Sequence, residues 1–404
     1  MILPCPLRFV IARYLWFVGF FLVWWSYISY APAEPPRFHE DGFLLIQGRP
    51  RLILGCYELP KAEETLKQLA ENGFNLVRVS NRAELDRVGK HGMFGWQCLN
   101  VALDENDPAG RKRIAGIVNQ SKDHPSLLVW ELPDEALWNV WYRRLPWATH
   151  ERFAALRKQI ATAKNSREEE QKQLALVHRA EDRARRGLWT ESDAICDQLW
   201  KQLGVPDPRP DAKLSLCPAK ATALAERMTR GCVYLRELDP NHVIWQNHAP
   251  RNALTSLQRF NAAVDAAGCD IYPVPLGSTG HSDLTNRMLS SVGAYTERMA
   301  RGAPGKAVWM VLQGFGWRDL HKESKNHPDP NHGRRPRWQE TRFMAYDSLL
   351  HGAGAILYWG TSYIEGVYGN PKNPANPYFS RLFLIFCESS KPVKTGVYRG
   401  VRVS

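Results

Sequence analysis

The sequence has 404 residues and is 44% hydrophobic, which is more than a single small core requires and is ample for globular folding. Its formal net charge of +12 arises from 53 basic and 41 acidic residues that are interspersed, without a motif of alternating aromatic and basic residues. We therefore predict a generally basic surface and no nucleic-acid partner.

The first 33 residues have the order of a secretory signal. Arg8 and Arg13 precede an apolar run at 14–25, and small residues at 31–33 provide a cleavage site. We predict a signal peptide at 1–33 and an exported protein that is secreted, periplasmic or held on the outer face of a membrane. The uncharged stretch 14–30 is also near the shortest length that spans a bilayer, so an uncleaved membrane anchor is the alternative.

Eight cysteines are present, without any C-x-x-C pair. Cys5 lies inside the export segment, which leaves an odd number in a mature chain. This pattern does not favour a structural zinc site, whereas an oxidising compartment permits one or two disulfides. Cys56, Cys98 and Cys269 lie in apolar strand-like runs, and we predict them to be small core residues.

Strand-like and helix-like segments alternate from Leu52 onward, after a short predicted hairpin at 43–50. The predicted strands lie at 52–55, 74–80, within 93–103, from 127, and at 243–248, 269–273, 307–313 and 355–360. Helices separate them, including one striped by Phe343, Tyr346 and Leu350 and a last one at 378–386. Eight such units predict an α/β fold, a (β/α)8 TIM barrel occupying 34–404. A doubly wound open sheet is not favoured, because no glycine-rich phosphate turn follows the first strand.

The alternation is interrupted after the fourth strand, at 139–217. Residues 150–186 read as a highly charged helical pair with Phe153, Leu156 and Ile160 on one stripe. Its charge runs are typical of a solvated helix face. We therefore predict a charged helical insertion in the barrel.

Polar and aromatic residues follow the predicted strands, at the end of a barrel where chemistry takes place. These strand ends carry Tyr57, Glu58, Arg78, Trp96, Asp134, Glu135, Asn247, His248, Asp270, Tyr272, Gln313, Trp317 and Trp359. Asp134 and Glu135 are adjacent, and the indoles of Trp130 and Trp138 on either side can shield a carboxyl group from water and raise its pKa. Apolar ring faces interleaved with hydrogen-bonding groups indicate a carbohydrate ligand, although Arg78 alone fits an ion-paired barrel plug and Trp359 a core residue.

The motifs resemble those of clan A glycoside hydrolases, especially the catalytic barrels of family 2-like enzymes. The segment 73–78 (GFNLVR) is similar to the clan's second-strand motif with its active-site arginine, and 129–135 (VWELPDE) to its fourth-strand motif, whose last glutamate is the general acid/base. The segment 270–272 (DIY) is similar to its sixth-strand tyrosine segment. The resemblance covers 52 to about 388 and implies that Glu135 is the acid/base.

Two positions depart from the clan pattern. Asp134 occupies the place of an asparagine, and the seventh strand ends in Gln313 where the clan has its nucleophilic glutamate. An amide cannot act as the carboxylate nucleophile of a retaining enzyme. The two-glutamate mechanism of the clan therefore does not transfer to this chain.

Three alternatives can supply the missing group. Asp270 can act as the base of an inverting reaction, which requires carboxyl groups roughly 6.5–9.5 Å apart. Alternatively, Asp134 orients a substrate acetamido group while Glu135 protonates the leaving oxygen, an arrangement that resembles substrate-assisted hexosaminidases. The third candidate is Glu340, which we instead interpret as an acid in the first turn of a helix.

We accordingly predict an enzyme that hydrolyses O-glycosidic bonds of an extracellular glycan or polysaccharide. The catalytic candidates are Glu135, Asp134 and Asp270; the substrate-binding candidates are Arg78, Trp96, Trp138, Asn247, His248, Tyr272, Gln313, Trp317 and Trp359. We expect no cofactor and no metal site, since the spacing of His321, His327 and His332 matches no ligand pattern. Glu131 is expected to point into the barrel or its wall.

Two other classes of function are consistent with the same sequence. One is a non-catalytic barrel that binds carbohydrate without its nucleophile, for which Gln313 is the distinguishing feature. The other is an anchored scaffold whose insertion, 139–217, binds another protein. Sugar and linkage specificity and the oligomeric state are not encoded in any motif of the sequence.

Overall fold

The computed structural model describes residues 38–276, 285–320, 327–329 and 331–361. The chain forms two compact units, residues 1–35 and 36–404, and the fold described below belongs to the second unit. The predicted export segment, the predicted helix at 378–386, and Cys5 and Cys387 lie outside the described residues. Export and the predicted domain boundaries therefore stay predictions.

Eight parallel strands form a closed barrel, in which each strand pairs with the next and the last pairs with the first. They are β3 (Ile53–Cys56), β4 (Leu76–Arg78), β5 (Phe94–Cys98), β6 (Leu127–Glu131), β7 (Val243–His248), β8 (Ala266–Ile271), β9 (Ala307–Gln313) and β10 (Ala353–Trp359). A short antiparallel hairpin, β1 (Leu44–Ile46) and β2 (Arg49–Arg51), precedes them. The predicted (β/α)8 class is confirmed.

Helices follow the barrel strands and pack on their outer faces. They are α1 (Glu63–Glu71), α2 (Arg82–Gly89), α3 (Pro108–Ser121), α4 (Ala136–Tyr142), α8 (Cys217–Leu238), α9 (Leu254–Phe260), α10 (Ser291–Gly302), α11 (Trp317–Leu320) and α12 (Trp338–Leu350), with α5 to α7 in the insertion. Local sequence starts several of them: the side chain of Asn81 caps α2, and Asp107 caps α3 just before Pro108.

Two apolar cores hold the barrel together. The interior core contains Trp96, Trp245 and Trp309, all fully buried, and it includes Leu44 of the hairpin. The second core lies between the strands and the helices. Large aromatic side chains thus fill the barrel below the rim where the strands end.

The insertion folds as a helical unit with a core of its own. It contains α5 (Arg152–Thr162), α6 (Arg167–Arg185) and α7 (Trp189–Gln202), entered through a π-helical turn at Trp147–Glu151. The predicted helical pair corresponds to α5 and α6, and the third helix was not anticipated. Phe153, Leu156 and Ile160 are buried in the shared core, as their spacing predicted.

The apolar stripe predicted for α12 is wrong. Phe343, Tyr346 and Leu350 are exposed, whereas the buried face of this helix is formed by Thr341, Met344, Ala345 and Ser348. Small and polar side chains allow a helix to lie close to the strands. Because apolar residues lie on both faces of this helix, the sequence pattern did not determine which face is buried.

No disulfide joins the six cysteines in the described part of the chain. Cys56 and Cys269 are buried as predicted, but Cys98 is exposed, because it ends β5 at the rim and not within the core. No helix among the described residues has both the length and the apolar character to cross a membrane.

Candidate active site

A cavity of about 190 Å³ opens at the carboxyl ends of the barrel strands. Its lining combines three carboxyl groups, one amide and several aromatic rings. The lining residues are Tyr57, Asp134, Glu135, Asn247, Asp270, Tyr272, Phe315, Trp317, Leu320 and Trp359. Seven of the predicted site residues are therefore brought together, because the strands that carry them end at one rim.

The backbone at Glu135 adopts a left-handed conformation, with φ 48° and ψ 30°. This region is uncommon for residues that carry a side chain. Neighbouring groups hold the turn in place: Gln246 Nε2 donates to the carbonyl of Pro133 at 3.0 Å, and Asn139 Nδ2 donates to the carbonyl of Glu135 at 3.1 Å. The turn after β6 is thus fixed with the carboxyl group of Glu135 in the cavity.

The carboxyl groups of Glu135 and Asp270 both line the cavity, together with that of Asp134. Negatively charged neighbours and loss of hydration both disfavour the ionised form of a carboxyl group. Burial, followed by the charge of Asp134, raises the pKa of Glu135 to about 7. Burial and the two neighbouring carboxylates raise the pKa of Asp270 well above its ordinary value. The surroundings of both groups therefore favour the protonated form of the carboxyl group.

The inverting alternative, with Asp270 as the base, requires roughly 6.5–9.5 Å between the two carboxyl groups, so that a water molecule fits between the sugar and the base. This alternative stays a prediction.

Asn247 links the third carboxyl group to this pair. Its Nδ2 donates to Asp134 Oδ1 at 2.8 Å and lies 3.5 Å from Asp270 Oδ1. Loss of hydration raises the pKa of Asp134, and the hydrogen bond from Asn247 opposes that rise. The Oδ1 atom of Asn247 is buried and accepts no hydrogen bond from the described residues.

Aromatic rings form the other side of the cavity. Tyr272 and Trp359 stack with their ring centres 5.8 Å apart and their planes 25° from parallel. Phe315 packs edge-on against Trp359 at 4.9 Å, and Trp317 lies 6.2 Å from Tyr272. The cavity lining thus combines an aromatic cluster with carboxyl groups, a combination that suits a ligand with both apolar and hydroxyl-bearing parts.

Glu131 lies inside the barrel next to the cavity and is completely buried. Its two carboxylate oxygens accept hydrogen bonds from Tyr57 Oη at 3.1 Å and Trp96 Nε1 at 3.0 Å, and Arg78 Nε lies 3.6 Å away. Burial, with a contribution from Asp134, raises the pKa of Glu131 to about 7 despite the charge of Arg78. The inward direction of Glu131 agrees with the sequence prediction, but its connection through Tyr57 to the cavity was missed.

Arg78 and Trp96, both predicted to bind substrate, do not line the cavity. Trp96 is fully buried in the interior core. Arg78 lines an adjacent pocket of about 510 Å³, which shares Tyr57 with the cavity. Both residues contact Glu131, so they act on the site through it. Tyr57 itself does line the cavity, and its position after the first barrel strand was the signal for it.

Trp138 and His248 also lie away from the cavity lining. Trp138, on α4, stacks on Tyr142 with ring centres 6.0 Å apart. His248 is buried against Phe260, and its Nε2 lies 2.8 Å from Asn261 Oδ1. Burial lowers the pKa of His248 to about 4, so the imidazole is neutral. Successive residues of a strand point to opposite faces, and Asn247 takes the inward one.

Gln313 is completely buried and does not line the cavity. Its Nε2 donates to the carbonyls of Val274 at 2.8 Å and Phe315 at 3.0 Å, and its Oε1 accepts from Val274 N at 2.9 Å. The side-chain amide of Gln313 is thus hydrogen-bonded to three backbone groups. Gln313 connects the segment after β8 to the segment after β9, and it holds Phe315 in place.

Two further sequence candidates have structural roles. Glu340 accepts hydrogen bonds from both terminal nitrogens of Arg334 at 2.6 Å and from Arg337 N at 2.6 Å, which confirms the interpretation as a first-turn acid of α12. The rings of His327 and His332 stack 3.9 Å apart, whereas His321 lies outside the described residues. Within the described ranges, no group of His, Cys, Asp and Glu has metal-binding geometry.

Comparisons with known proteins give structural neighbours only. No protein-family model matches the sequence. A search of curated proteins found no match. Among solved structures, the chain is similar to β-glucuronidase 2 of Bacteroides uniformis, with 12% identity, a TM-score of 0.44, and coverage of 80% of this chain and 32% of that one.

Two other neighbours belong to the same class of enzyme. The β-galactosidase of Marinomonas ef1 has 15% identity and a TM-score of 0.44 over 76% of this chain and 54% of that one. A glycoside hydrolase family 2 member of Bacteroides cellulosilyticus has 11% identity and a TM-score of 0.41 over 80% and 29%. The chain thus spans about a third to a half of the length of these enzymes. The neighbours are of the class that the sequence motifs resemble, but at these values the likeness assigns no activity to this chain.

Proposed function

We propose that this protein hydrolyses O-glycosidic bonds, with Glu135 as the general acid. The observation that carries the proposal is the cavity at the carboxyl ends of the barrel strands, in which the carboxyl groups of Asp134, Glu135 and Asp270 lie together with several aromatic rings. A general acid must hold a proton at the working pH, and a pKa of about 7 meets that requirement.

The remaining groups of the cavity suit a sugar ring. Five aromatic side chains give the lining an apolar part, and its three carboxyl groups can form hydrogen bonds with hydroxyl groups. At about 190 Å³, the cavity is smaller than the roughly 300–1,000 Å³ of pockets for larger ligands. These dimensions favour a single sugar residue with its neighbours outside the cavity.

The geometry favours substrate assistance over a nucleophile supplied by the protein. Gln313 and Glu340 are both held by structural contacts, and Asp270 is buried with its pKa raised well above the ordinary value, which disfavours its action as a base or nucleophile. In the remaining route, the acetamido oxygen of an N-acetylated sugar attacks the anomeric carbon while Glu135 protonates the leaving oxygen. Asp134 accepts the acetamido N–H, and Glu135 then takes a proton from the water that opens the cyclic intermediate.

The test is hydrolysis of paired aryl glycosides that differ only in a 2-acetamido or 2-hydroxyl group, with NMR detection of the anomer released first. We expect turnover only of the N-acetylated member, with retention of configuration. Glu135→Gln should reduce kcat by at least about 100-fold, the usual contribution of a general acid. Glu64→Gln, an exposed glutamate on α1, is the matched control and should leave kcat unchanged. Full activity of Glu135→Gln would refute the assignment.

A second candidate function is a barrel that binds carbohydrate without cleaving it. Gln313 favours it, because an amide fixed by three backbone groups stands where a nucleophile would end the strand. Calorimetric binding of a glycan without turnover of any member of the substrate panel would support this candidate. The scaffold alternative requires instead a protein partner that is lost when the insertion is removed.

We also propose that the substrate is an extracellular glycan, on the strength of the signal-like order of residues 1–33. Cell fractionation, together with mass determination of the mature N-terminus, tests this location. A full-length N-terminus in the cytosolic fraction would contradict it.

A further inference from the structure

A second and larger depression, which we call the arginine groove, lies next to the cavity and shares Asp134 with it. It has a volume of about 790 Å³ and is formed by the loops after β5 and β6 and by α3, α4 and α8. Its charged lining residues are Arg113, Arg143, Arg144, Arg227, Asp107 and Asp134. The volume accommodates more than one sugar residue, whereas the cavity suits one.

Among the residues that the structure describes, three of the four guanidinium groups in the groove form no ion pair with a carboxylate. Arg113 donates to the carbonyl of Asn100 at 2.7 Å. Arg144 donates to the carbonyls of Val140 at 2.7 Å and Asp211 at 3.1 Å. Backbone carbonyls orient these two side chains and leave their charge intact. Arg143 is exposed, and its side chain has no ion pair or hydrogen bond within the described ranges.

Asp107 accepts from Gly110 N at 2.7 Å as the cap of α3, and Asp134 accepts from Asn247. These donors are neutral, so both aspartates keep their negative charge. Within the part of the chain that the structure describes, Arg227 is the one arginine of the four with an ion pair, to Asp104 at 2.8 Å. The three other arginines exceed the two lining aspartates by one charge. Guanidinium groups match the oxygens of carboxylates and sulfates through paired hydrogen bonds. Arginine side chains without an ion pair, in a groove next to the cavity, therefore favour the binding of an anionic ligand.

We propose that the arginine groove binds the carboxylate or sulfate groups of an acidic glycan whose adjoining residue enters the cavity. This inference rests on the proposed function for the cavity, and it adds the chemical class of the substrate. Arg113 and Arg143 contact the anionic groups, and Asp134 lies at the junction of the two sites. Because Arg144 is held by two carbonyls, it contributes mainly to the local potential.

Binding, measured without catalysis, tests this inference. Calorimetry of the Glu135→Gln protein with sulfated dextran, polygalacturonate and unmodified dextran separates sulfate, carboxylate and neutral chains. We expect at least one acidic chain to bind and neutral dextran to bind at least about tenfold more weakly, with the preference declining as salt screens the charges. The double change Arg113→Gln and Arg143→Gln should abolish that preference.

The matched control is the double change Arg167→Gln and Arg179→Gln, which removes the same charge from exposed positions of α6. It should leave the binding of acidic chains within about twofold. Equal losses in both double variants, or tighter binding of a single-stranded oligonucleotide than of either acidic chain, would overturn the inference in favour of non-specific attraction of polyanions.

The two proposals fail separately. A native protein that turns over no glycoside but binds acidic chains through Arg113 and Arg143 would refute the hydrolase and leave the groove. The opposite result is a hydrolase with the same kcat/KM for neutral and acidic oligosaccharides of one length, both with and without these two arginines. It would refute the proposed anion binding in the groove and leave the proposed hydrolysis intact.

Discussion

Two carboxyl groups near the barrel rim, Glu131 and Glu135, have pKa values of about 7 for the same physical reason. Burial disfavours the charged form, and the nearby carboxylate of Asp134 adds to the effect. Arg78 lowers the pKa of Glu131 but does not cancel the cost of burial. Only Glu135 is in contact with the cavity. The raised pKa therefore suits Glu135 for the proposed acid catalysis, whereas at Glu131 it lowers the stability of the fold.

The pKa of Glu131 predicts a specific pH dependence of stability. The pKa is about 7 in the folded protein and 4.5 in its ordinary state, so between these values the folded protein holds a proton that the unfolded chain has lost. Stability must therefore fall as pH rises from about 4.5 to about 7. Relative to a Glu131→Gln variant, the native protein should lose roughly 3 kcal/mol over that interval, at about 1.36 kcal/mol per pH unit.

Urea unfolding at several pH values measures this difference. The variant and the native protein should be closest in stability at pH 5 and should diverge toward pH 7.5, to the advantage of the variant. Glu64→Gln provides a control for the substitution itself. A difference that stays constant from pH 5 to pH 7.5 would show that Glu131 has no raised pKa in the folded state.

At the scale of elements, hydrophobic periodicity and strand-end polarity were sufficient to predict the barrel, and β7 and β9 have the predicted ends. Glu135, Asp270 and Tyr272 reach the cavity because each lies at or just past a strand end. Which residue of a neighbouring pair faces inward, as with Asn247 and His248, depends on a register that the sequence does not encode. The third insertion helix and the buried face of α12 depended on tertiary contacts in the same way.

The connection between the ends of β8 and β9 yields a prediction about Gln313. Glu in its place would direct a carboxylate at the carbonyl oxygens of Val274 and Phe315, which now accept hydrogen bonds from the amide. We expect Gln313→Glu to destabilise the fold by about 2–4 kcal/mol in denaturant unfolding, because a buried charge replaces a satisfied donor.

The same substitution should not create a retaining glycosidase, since residue 313 lies outside the cavity lining. Gln171→Glu, at an exposed position of α6, is the matched control and should change stability by less than about 0.5 kcal/mol. Unchanged stability of Gln313→Glu, together with new activity, would place residue 313 in the cavity after all.

At the scale of the whole molecule, the structure combines a barrel with a helical insertion that has a core of its own. Trp189 is partly buried and packs against both cores. The first and last parts of the insertion lie close together, since Arg144 near its start donates to the carbonyl of Asp211 near its end. The sequence predicted the insertion from its charge, whereas its separate core required the positions of three helices.

Replacement of residues 150–209 by a short Gly-Ser linker should therefore leave a folded barrel. We expect a cooperative thermal transition with Tm lower by no more than about 5 °C, mainly through loss of the Trp189 contacts. Calorimetry and near-ultraviolet circular dichroism measure the outcome. A broad transition with loss of aromatic signal would mean that the insertion is part of one folding unit with the barrel.

The left-handed backbone at Glu135 also has a consequence for how this protein can change over time. Glycine adopts that conformation without the penalty of a side chain, so Glu135→Gly should raise the stability of the fold by roughly 1 kcal/mol while removing the proposed acid. Thermal unfolding of this variant, with Glu135→Ala for comparison, measures the gain. If glycine is the more stable of the two and exceeds the native protein, then a drifting lineage released from selection for hydrolysis gains robustness by losing Glu135. Retention of glutamate at this position in relatives would then indicate that selection maintains the activity.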